Sequence, residues 1–542
     1  MRLSGNWFQI VFCIITLTLA ACSGNDAAED IPEVTPPEVN PPDEGPYEYD
    51  NDLDYNSEEF LKNYKGTPYK GPHYIPGTLE AEDFDEGGQN VAYYESDTKP
   101  ADAGYRGEHA VDVRADGNAS GKYYIGDVQP GEWMCYTIDV GEDGAYSIDT
   151  YIIKGDGSKG SFYFEVDGRG ASRGIDMPLG GWTDFTHKAT VGNIQLTKGK
   201  HVLKYYASTP GNIDKFVLTR TGKLEELSNS FVYPVTKAMS NPLFVGFDSP
   251  MYNSWIKGPL YTADASGHVW NIDGKEVLYV YASHDMEPAK GCDRMDRYHV
   301  FSTEDMVNWT DHGEIMNAAT VRKHADWGCE GFMWAPDCVY NPVNKTYYFY
   351  FPHPTSTANW NSTWRVGVAT SKYPGKEFRV VGYVEGMPSE IDPCVFVDDD
   401  GQPYIYNGGG GKCYGGKLQK DDWTKLEGAV KPMTGLKDFH EAAWVHKRNG
   451  IYYLSYADNN PGANRLNYAT GNTPLGPWTY QGIYLQPTSC DTSHGSIVEY
   501  KGQWYAFYHS SDFSGEGNLR SVCVDKLYYN SDGSIQVVKQ TK

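Results

Sequence analysis

The sequences DGKEVLYVYASHD (residues 273–285) and VNKTYYFYFPHP (residues 343–354) each place a turn before a strand crowded with aromatic residues. Three later segments repeat this pattern: DGQPYIYNGG (400–409), NGIYYLSYAD (449–458) and KGQWYAFYHSS (501–511). The four-stranded blades of a β-propeller recur every ~40–50 residues, and at longer intervals where loops are inserted. Five repeats therefore predict a five-bladed β-propeller over residues 241–542. An irregular β-sandwich is the alternative.

The composition is typical of an all-β protein with many aromatic side chains. The chain of 542 residues contains 59 Gly, 43 Tyr, 20 Phe and 14 Trp; aromatic residues favour strands and glycine favours turns. A helical bundle or coiled coil is thereby excluded. The 46 basic and 72 acidic side chains give a formal charge of -26, which repels nucleic acid and anionic membrane surfaces. Neutral, hydroxyl-rich ligands that stack on rings suit such a protein better.

The N-terminal residues predict an exported protein with a lipid anchor. Residues 1–21 contain an apolar stretch too short to span a bilayer and are interpreted as a signal peptide. The sequence LAAC (residues 19–22) resembles a bacterial lipobox, which implies a lipid on Cys22; a secretory cleavage site beside a chance cysteine is the alternative. Residues 22–75 are acidic and rich in proline, so we expect them to form a disordered stalk.

The eight cysteines after Cys22 show no pair at zinc-ligand spacing. An exported compartment permits disulfides, but a chain of this length does not need them to build a core. Disulfides and buried free thiols both stay open at this point.

Residues 76–222 alternate polar and apolar side chains in short segments between glycine, aspartate and asparagine turns. This spacing predicts a β-sandwich, followed by a connector over residues 223–240. Five motifs occur in order within it: GTLEAEDFDEGG (77–88), GYRGEHAVDV (104–113), PGEWMCYTIDV (130–140), GGWTDFTH (180–187) and GNIDKFVLTR (211–220). On these motifs the segment resembles a family 6 carbohydrate-binding module, and this resemblance implies the jelly-roll form of the sandwich.

This resemblance implies two sites in the sandwich. Tyr105 and Trp182 would enclose a sugar ring, and Asn212 would bond to its hydroxyl groups. A structural calcium ion is implied by three acidic residues, whose oxygen atoms suit that ion. These residues are Glu80, Glu82 and Asp214.

Each repeat of the propeller segment is preceded by one polar residue in an otherwise apolar strand. These residues are Asp264, Asp337, Asp392, Glu441 and His494. Equivalent strands of a propeller lie around one axis, so we expect the five side chains to converge at the central channel. Crowded carboxylates repel each other, which leaves one protonated while another stays ionised. Hydrolysis of a glycosidic bond needs such an acid and base.

Seven ordered motifs of this segment resemble those of glycoside hydrolase family 43. They are YTADAS (261–266), STEDMVNWTDHG (302–313), MWAPDCVYN (333–341), SEIDPCVFVDDDGQPYIY (389–406), FHEAAWVHKRNGIYYLSYAD (439–458), TSHGSIVEYKGQWYAFYH (492–509) and RSVCVDKL (520–527). By this resemblance Asp264 is the general base, Asp392 orients the acid and tunes its pKa, and Glu441 is the general acid. The resemblance implies inverting hydrolysis, for which the carboxyl groups of Asp264 and Glu441 are expected to lie roughly 6.5–9.5 Å apart.

Two other aspartates need to be placed: one is a rival for the role of base, and the other lies in the same repeat position as the catalytic candidates. Members of the family commonly have proline after the base, whereas Ala265 follows Asp264 in this chain, and Asp248 in the sequence GFDSPMY is a rival. Asp264 keeps the better spacing to its repeat. Asp337 is expected to be structural.

Other residues are candidates for contacts with the substrate, with the carboxylates or with a metal ion. Trp334 is predicted either to stack on a sugar or to pack in the core, and Arg520 either to hold a substrate hydroxyl or to orient a carboxylate. His284 and Asp285 are expected at the pocket rim. By the resemblance, His494 lies near a central calcium ion through water; a buried, hydrogen-bonded histidine is the alternative.

Together these features predict an enzyme that releases terminal α-L-arabinofuranosyl or β-D-xylosyl units from plant-type polysaccharides. It would be a monomer without an organic cofactor, and the membrane would be a partner only through the lipid. Its location would be the bacterial outer membrane, cell surface or periplasm. A galactofuranosidase or galactanase of the same family, and a non-catalytic surface glycan-binding lipoprotein, are the alternatives. A polysaccharide lyase is disfavoured because acidic side chains repel uronates.

Overall fold

The computed structural model of the protein describes the following residues: 57–96, 103–107, 109–172, 174–224, 241–245, 247–250, 257–287, 291–325 and 327–542. The expected signal peptide, Cys22, the stalk up to residue 56 and most of the connector lie outside the described residues. Within the described ranges, no helix combines the length and hydropathy that crossing a membrane requires.

A β-sandwich occupies residues 57–224, and its first element is the helix α1 (Ser57–Asn63). Its strands are β1 (His73–Ile75), β2 (Gly77–Glu80), β3 (Tyr93–Tyr94), β4 (Val113–Ala115), β5 (Tyr123–Val128), β6 (Trp133–Val140), β7 (Gly144–Ile153), β8 (Ser161–Val166), β9 (Arg169–Gly170), β10 (Ile175–Asp176), β11 (Ala189–Leu196), β12 (Gly199–Ala207) and β13 (Gly211–Gly222). One sheet has the order β1-β6-β12-β8-β10 with β3 and β9 at its sides, and the other has the order β11-β7-β13-β5-β4 with β2 beside β13. Apolar side chains such as Ile138, Phe164 and Phe216 fill the space between them.

Residues 57–75 belong to this sandwich, so the prediction that the disordered stalk extends to residue 75 is wrong. The hydroxyl of Tyr64 donates a hydrogen bond to Asp85 Oδ2 (2.8 Å), and Ser57 Oγ donates to Asp167 Oδ2 (2.8 Å). Strand β1 pairs in parallel with β6. A helix of two turns and a three-residue strand are too short to show a periodic pattern beside the proline-rich residues before them.

Residues 241–542 contain five consecutive antiparallel sheets, preceded by a two-stranded sheet of β14 (Asp248–Pro250) and β15 (Lys257–Pro259). The first sheet has β16 (Tyr261–Ile272), β17 (Lys275–Asp285), β18 (Arg297–Thr303) and β19 (Trp309–Asn317), and α2 (Ala318–Ala325) follows it. The second has β20 (Asp337–Asn341), β21 (Thr346–Pro354), β22 (Trp364–Ser371) and β23 (Arg379–Tyr383), and the third has β24 (Cys394–Val397), β25 (Pro403–Gly409), β26 (Lys412–Lys417) and β27 (Lys431–Pro432). The fourth has β28 (Phe439–Arg448), β29 (Ile451–Asp458), β30 (Leu466–Gly471) and β31 (Thr479–Leu485), and the fifth has β32 (Ser496–Tyr500), β33 (Gln503–Ser510) and β34 (Ser521–Leu527).

The first strands of the five sheets contact each other in sequence. β16 contacts β20, β20 contacts β24, β24 contacts β28, β28 contacts β32, and β32 in turn contacts β16. A hydrophobic cluster joins the first sheet to the fifth, with Leu278 and Phe301 packed among Phe507 and Val524. Leu243 N donates a hydrogen bond to Val522 O in β34 (2.7 Å), so an early segment covers the edge of the three-stranded fifth sheet.

All eight described cysteines are free thiols. Seven are buried and Cys292 is exposed. Of the two alternatives that the sequence left open, the structure therefore has free thiols.

Candidate active site

The polar residues singled out by the repeats lie on or directly before the first strands of the five sheets. Asp264 is in β16, Asp337 begins β20, Asp392 precedes β24, Glu441 is in β28 and His494 precedes β32. His494 Nδ1 lies 3.7 Å from Asp392 Oδ2, and the charge of Asp264 acts on the pKa values of both Asp392 and Glu441. The charge of Asp337 likewise acts on the pKa of His494, so the structure brings all five together.

The backbone leaves the regular strand conformation at or next to Asp264, Asp392 and Glu441. Asp264 and Asp392 have positive φ angles of 55° and 54°, and Ala442, directly after Glu441, has a φ of 63°. The strand register shifts beside Asp264 and on both sides of Glu441. Such bulges re-aim side chains and are common next to active sites, where the strain serves function.

Asp264 is held as a buried carboxylate ion. Burial alone would raise its pKa, but the guanidinium of Arg520, whose Nη1 donates to Asp264 Oδ1 (3.0 Å), lowers the pKa of Asp264 to about 2. Ser283 Oγ donates a further hydrogen bond to Asp264 Oδ2 (2.5 Å). Asp264 is therefore ionised at neutral pH and able to accept a proton.

Arg520 is a carboxylate-orienting residue in this structure. Its Nε and Nη2 donate to the two oxygens of Asp285, both at 2.9 Å, while the same guanidinium contacts Asp264. Of the two roles predicted for Arg520, the geometry matches orientation of a carboxylate. Asp285 is buried behind it and does not line a rim.

Asp392 and Glu441 form a coupled acidic pair. Burial raises the pKa of Asp392 well above its ordinary value, and the charges of Glu441 and Asp264 raise it further. Burial also raises the pKa of Glu441, with Asp264 adding to the shift and His440 opposing it. Asp392 Oδ2 accepts a hydrogen bond from Ala442 N (2.7 Å), which fixes the backbone next to Glu441. The pair retains a proton where isolated carboxyl groups are ionised.

Asp337 joins neighbouring sheets. Its Oδ1 accepts hydrogen bonds from Ser266 Oγ (2.6 Å) and Cys338 N (2.8 Å) and lies 2.6 Å from His268 Nε2, while its Oδ2 accepts from Val395 N (2.6 Å). A carboxylate surrounded in this way has little capacity left for a substrate.

Trp334 belongs to an aromatic cluster. Its ring lies 4.6 Å from Trp364 and 5.6 Å from Trp360, measured between centroids, and its Nε1 donates to Cys292 O (2.7 Å). Ile391, directly before Asp392, packs against this cluster. The cluster is therefore adjacent to the acidic pair, and Trp360 is exposed.

The prediction that His284 lines the pocket rim is wrong. His284 is buried, and its Nδ1 faces Glu314 at 3.7 Å on the side of β17 away from Asp264. Side chains alternate along a strand, so Ser283 and Asp285 point toward Asp264 and Arg520 while His284 points the other way. Asp248, the rival base, lies in β14, where it pairs with Pro259.

Ser283 and His509 are site residues that sequence reasoning missed. His509 Nδ1 accepts a hydrogen bond from Asp264 N (3.3 Å), and burial lowers the pKa of His509 to about 3, so the ring is neutral. Both residues lie at the ends of second strands that carry the tyrosine-rich repeat. Their position in that repeat was the available signal.

In the module, Trp182 and Asn212 lie together. Trp182 is 41% exposed, with its ring above Gly155, and Asn212 Nδ2 donates to Trp182 O (2.8 Å). Tyr105 has other contacts: its hydroxyl donates to Asp83 Oδ1 (2.6 Å).

The three acidic residues predicted to bind calcium in the module are close in space. Ser120 Oγ donates to Glu80 Oε1 (3.0 Å) and Ser120 N donates to Asp214 Oδ1 (2.5 Å). Burial, together with the nearby carboxylates, raises the pKa of Glu82 to about 8. The Oε2 atoms of Glu80 and Glu82 are buried without a hydrogen-bond partner in the described part of the chain. These oxygen donors fit a hard cation.

Comparison with known proteins gives two family matches. Residues 261–535 match the family model for Glycosyl hydrolases family 43, and residues 103–220 match that for Carbohydrate binding module (family 6). The chain is 35% identical to a xylosidase/arabinosidase of Bacteroides ovatus over 52% of this chain and 95% of that protein. It is also 35% identical to xylosidase/arabinosidase 43A of Humicola insolens over 52% of this chain and 97% of that protein. A solved beta-xylosidase/alpha-arabinofuranosidase from a compost metagenome is 31% identical, with a TM-score of 0.47 over 56% of this chain and 98% of that chain.

Proposed function

The chain belongs to glycosyl hydrolase family 43, and from this premise we propose that it is an inverting glycosidase that releases terminal α-L-arabinofuranosyl or β-D-xylosyl units from plant-type polysaccharides. The observation that carries the proposal is that the surroundings shift the pKa values of two neighbouring buried carboxyl groups in opposite directions. Asp264 has a pKa of about 2, whereas burial raises the pKa of Glu441. One base and one acid close to each other are what glycoside hydrolysis requires.

The reaction assigns one role to each carboxyl group. Asp264 takes a proton from the water that attacks the anomeric carbon, and Glu441 gives its proton to the departing oxygen. Asp392 keeps a proton on the pair and, through Ala442 N, fixes the backbone that aims Glu441. Inversion needs room for water, so the carboxyl groups of Asp264 and Glu441 are expected roughly 6.5–9.5 Å apart.

A closed five-bladed propeller is the fold proposed for residues 241–542. It is supported by the sequential contacts of the five first strands and by the hydrophobic cluster between the first and fifth sheets. Closure brings residues from distant parts of the chain to one axis. In this arrangement Trp334 and its aromatic neighbours would stack on the sugar units beyond the scissile bond.

The family 6 module is proposed to hold the enzyme on its polymer. Trp182 supplies an exposed ring, with Asn212 and Tyr105 as the other predicted ligand residues. Glu80, Glu82 and Asp214 would bind a structural calcium ion, because uncompensated buried oxygens fit that cation. In the central channel, His494 and the carboxylates beside it suit a calcium ion held through water, whose positive charge would offset their repulsion.

A location outside the cytoplasm is proposed because residues 19–22 resemble a bacterial lipobox. Cys22 would carry the lipid and tether a monomeric enzyme to the outer membrane, with its domains at the cell surface or in the periplasm. Replacement of Cys22 by serine is expected to release the protein or block its maturation. Unchanged partitioning into membranes and detergent would refute the anchor.

A substrate panel with stereochemical analysis tests the activity. The purified chain would be assayed on nitrophenyl arabinofuranoside, xyloside and galactofuranoside, and on arabinoxylan, arabinan and galactan, with proton NMR of the first product. We expect arabinose or xylose in the inverted configuration. A retained anomer before mutarotation contradicts the mechanism, galactose release favours the galactofuranosidase or galactanase alternative, and binding without hydrolysis favours a non-catalytic glycan-binding protein.

A further inference from the structure

A second cluster of polar side chains lies in the first sheet, on the face of β17 turned away from the catalytic carboxylates. His284, His299 and Glu314 come from β17, β18 and β19, which pair in that order. One ligating atom from each residue lies within 4.8 Å of the other two. His284 and His299 are buried, and the side chain of Glu314 is 4% exposed.

The hydrogen bonding of the two imidazole rings is compatible with metal ligation. His284 Nδ1 is buried without a hydrogen-bond partner in the described residues, since Glu314 Oε1 at 3.7 Å is too distant. His299 Nε2 lies 2.7 Å from Asp311 Oδ1. A carboxylate only accepts, so Nε2 of His299 carries a hydrogen; where this is the ring's only N–H, the lone pair is on Nδ1. A carboxylate behind a histidine in this way orients and strengthens a metal ligand.

Charge in this part of the sheet also favours a cation. Arg297 donates to Glu314 Oε1 (3.0 Å) and Oε2 (3.2 Å) and to Asp296 Oδ1 (2.7 Å). Asp311, whose Oδ2 has no hydrogen-bond partner within the described chain, is the third carboxylate. With neutral histidines the formal charges of Arg297, Asp296, Glu314 and Asp311 sum to two negative charges, which a divalent ion would balance. Arg297 would then fix Glu314 as a ligand, in the way outer partners fix ligating carboxylates.

We propose that His284, His299 and Glu314 bind a divalent transition-metal ion of the zinc class, with water as the fourth ligand. Two imidazoles and one carboxylate suit zinc rather than calcium or magnesium. Zinc–ligand bonds of about 2.0–2.1 Å place the atoms of a tetrahedral ligand set about 3.4 Å apart. The three candidate ligand atoms lie within 4.8 Å of one another, so small side-chain movements would bring them to bonding distance. The ion would fix the end of β17, where Ser283 and Asp285 hold Asp264 and Arg520. It takes no part in the chemical step.

Metal titration of the intact chain tests this site. The purified protein would be stripped with a chelator and titrated with Zn²⁺ against a chromophoric competitor, and in parallel with Co²⁺. We expect one tight zinc per chain and a visible tetrahedral cobalt spectrum without thiolate charge-transfer bands. His284→Gln and Glu314→Gln should each weaken binding by at least about 10-fold.

Two histidine variants serve as controls. His312 lies in the same strand as Glu314, but its Nε2 is bonded to Ser302 Oγ (2.8 Å), so His312→Gln should bind zinc as the wild type does. His494→Asn should also retain the zinc, which separates this site from the central channel. The proposal is overturned if the wild type binds no zinc, if either control loses it, or if cobalt shows thiolate bands. The cobalt spectrum of the wild type gives this answer even if the cluster variants fail to fold.

Discussion

At Asp264 and Asp392, and directly after Glu441, the chain adopts a conformation that regular strands avoid. A non-glycine residue with φ near 55° is uncommon, yet Asp264 and Asp392 both adopt it. The surrounding contacts hold them there: Arg520 and Ser283 hold Asp264, and the amide of Ala442 holds Asp392. Strain of this kind persists where packing over-determines the geometry, which is the situation of a pre-organised site.

Replacing Glu441 by glutamine tests the general acid. The change removes the proton that the leaving oxygen needs, so kcat on xylo- or arabino-oligosaccharides should fall by about 10²–10⁴. Nitrophenyl glycosides have good leaving groups and should lose much less. Asp438→Asn is the matched control, because Asp438 is exposed, precedes Glu441 by three positions and has a φ of 53° that asparagine tolerates. Equal losses on both substrate types would contradict the role of Glu441.

Replacing Asp392 by asparagine tests the coupling of the acidic pair. The raised pKa values mean that the pair keeps its proton above the ordinary carboxyl range, so activity should extend to neutral pH and fall as that proton is lost. Asparagine still accepts from Ala442 N but carries no charge, so the pKa of Glu441 should drop. The alkaline limb of kcat/KM should move down by about one pH unit or more.

A neighbouring glutamate provides the control for that pH profile. Glu390 is half-buried and lies two positions before Asp392, so Glu390→Gln should leave the alkaline limb in place. A profile for Asp392→Asn that falls in amplitude without shifting would show that Asp392 acts on orientation alone.

The site residues that the sequence predicts are placed by the internal repeat, whereas those that it misses are placed by contacts between strands. Asp264, Asp392 and Glu441 were predictable because each occupies the same place in a repeated unit. Ser283 reaches Asp264 from the paired strand of the same sheet, across the irregular register beside Asp264, whereas His509 comes from the fifth sheet and its approach depends on how the two sheets pack. The prediction for His284 is wrong because side chains alternate along β17, so His284 points away from the side that Ser283 and Asp285 share.

At the level of elements, a short segment before the sandwich contributes to its stability. Ile75 in β1 is 2% exposed, and the Tyr64 hydroxyl bonds to buried Asp85. Burial of such a side chain contributes about 1.5–3 kcal/mol and the hydrogen bond about 1 kcal/mol. The composition predicts a disordered stalk up to residue 75 because proline and acidic residues dominate the residues before this segment. The contacts that order the segment involve residues distant in sequence, such as Asp85, and composition does not show them.

Truncation of the module measures this contribution. A module of residues 57–224 should be more stable than one of residues 76–224 by about 2–4 kcal/mol, as measured by urea unfolding. Tyr64→Phe in the longer module should lose about 1 kcal/mol of that difference. Equal midpoints for the two lengths would mean that α1 and β1 pack without stabilising the sandwich.

At the scale of the whole molecule, the internal repeats made the architecture predictable from the sequence. Five tyrosine-rich strands at intervals of a propeller blade, and a separate stretch of alternating strands, predicted two β domains, and the structure has five sheets in series after a sandwich. The cluster of His284, His299 and Glu314 had no such signal, since its residues come from three strands of one sheet and match no short metal-binding motif. It becomes visible only once the strands pair.

The last prediction concerns how the two domains act on one polymer. If the module holds the enzyme on its substrate, Trp182→Ala should reduce hydrolysis of insoluble arabinoxylan several-fold, because loss of a stacking ring costs on the order of 1 kcal/mol. Rates on a nitrophenyl glycoside should not change, since a small substrate needs no tether. Tyr74→Ala is the control: Tyr74 is 71% exposed on β1, outside the predicted sugar site. Binding by affinity electrophoresis should fall in parallel with polymer hydrolysis for Trp182→Ala alone. A variant that binds the glycan normally, or that loses both substrate activities together, would show that Trp182 does not serve polymer targeting.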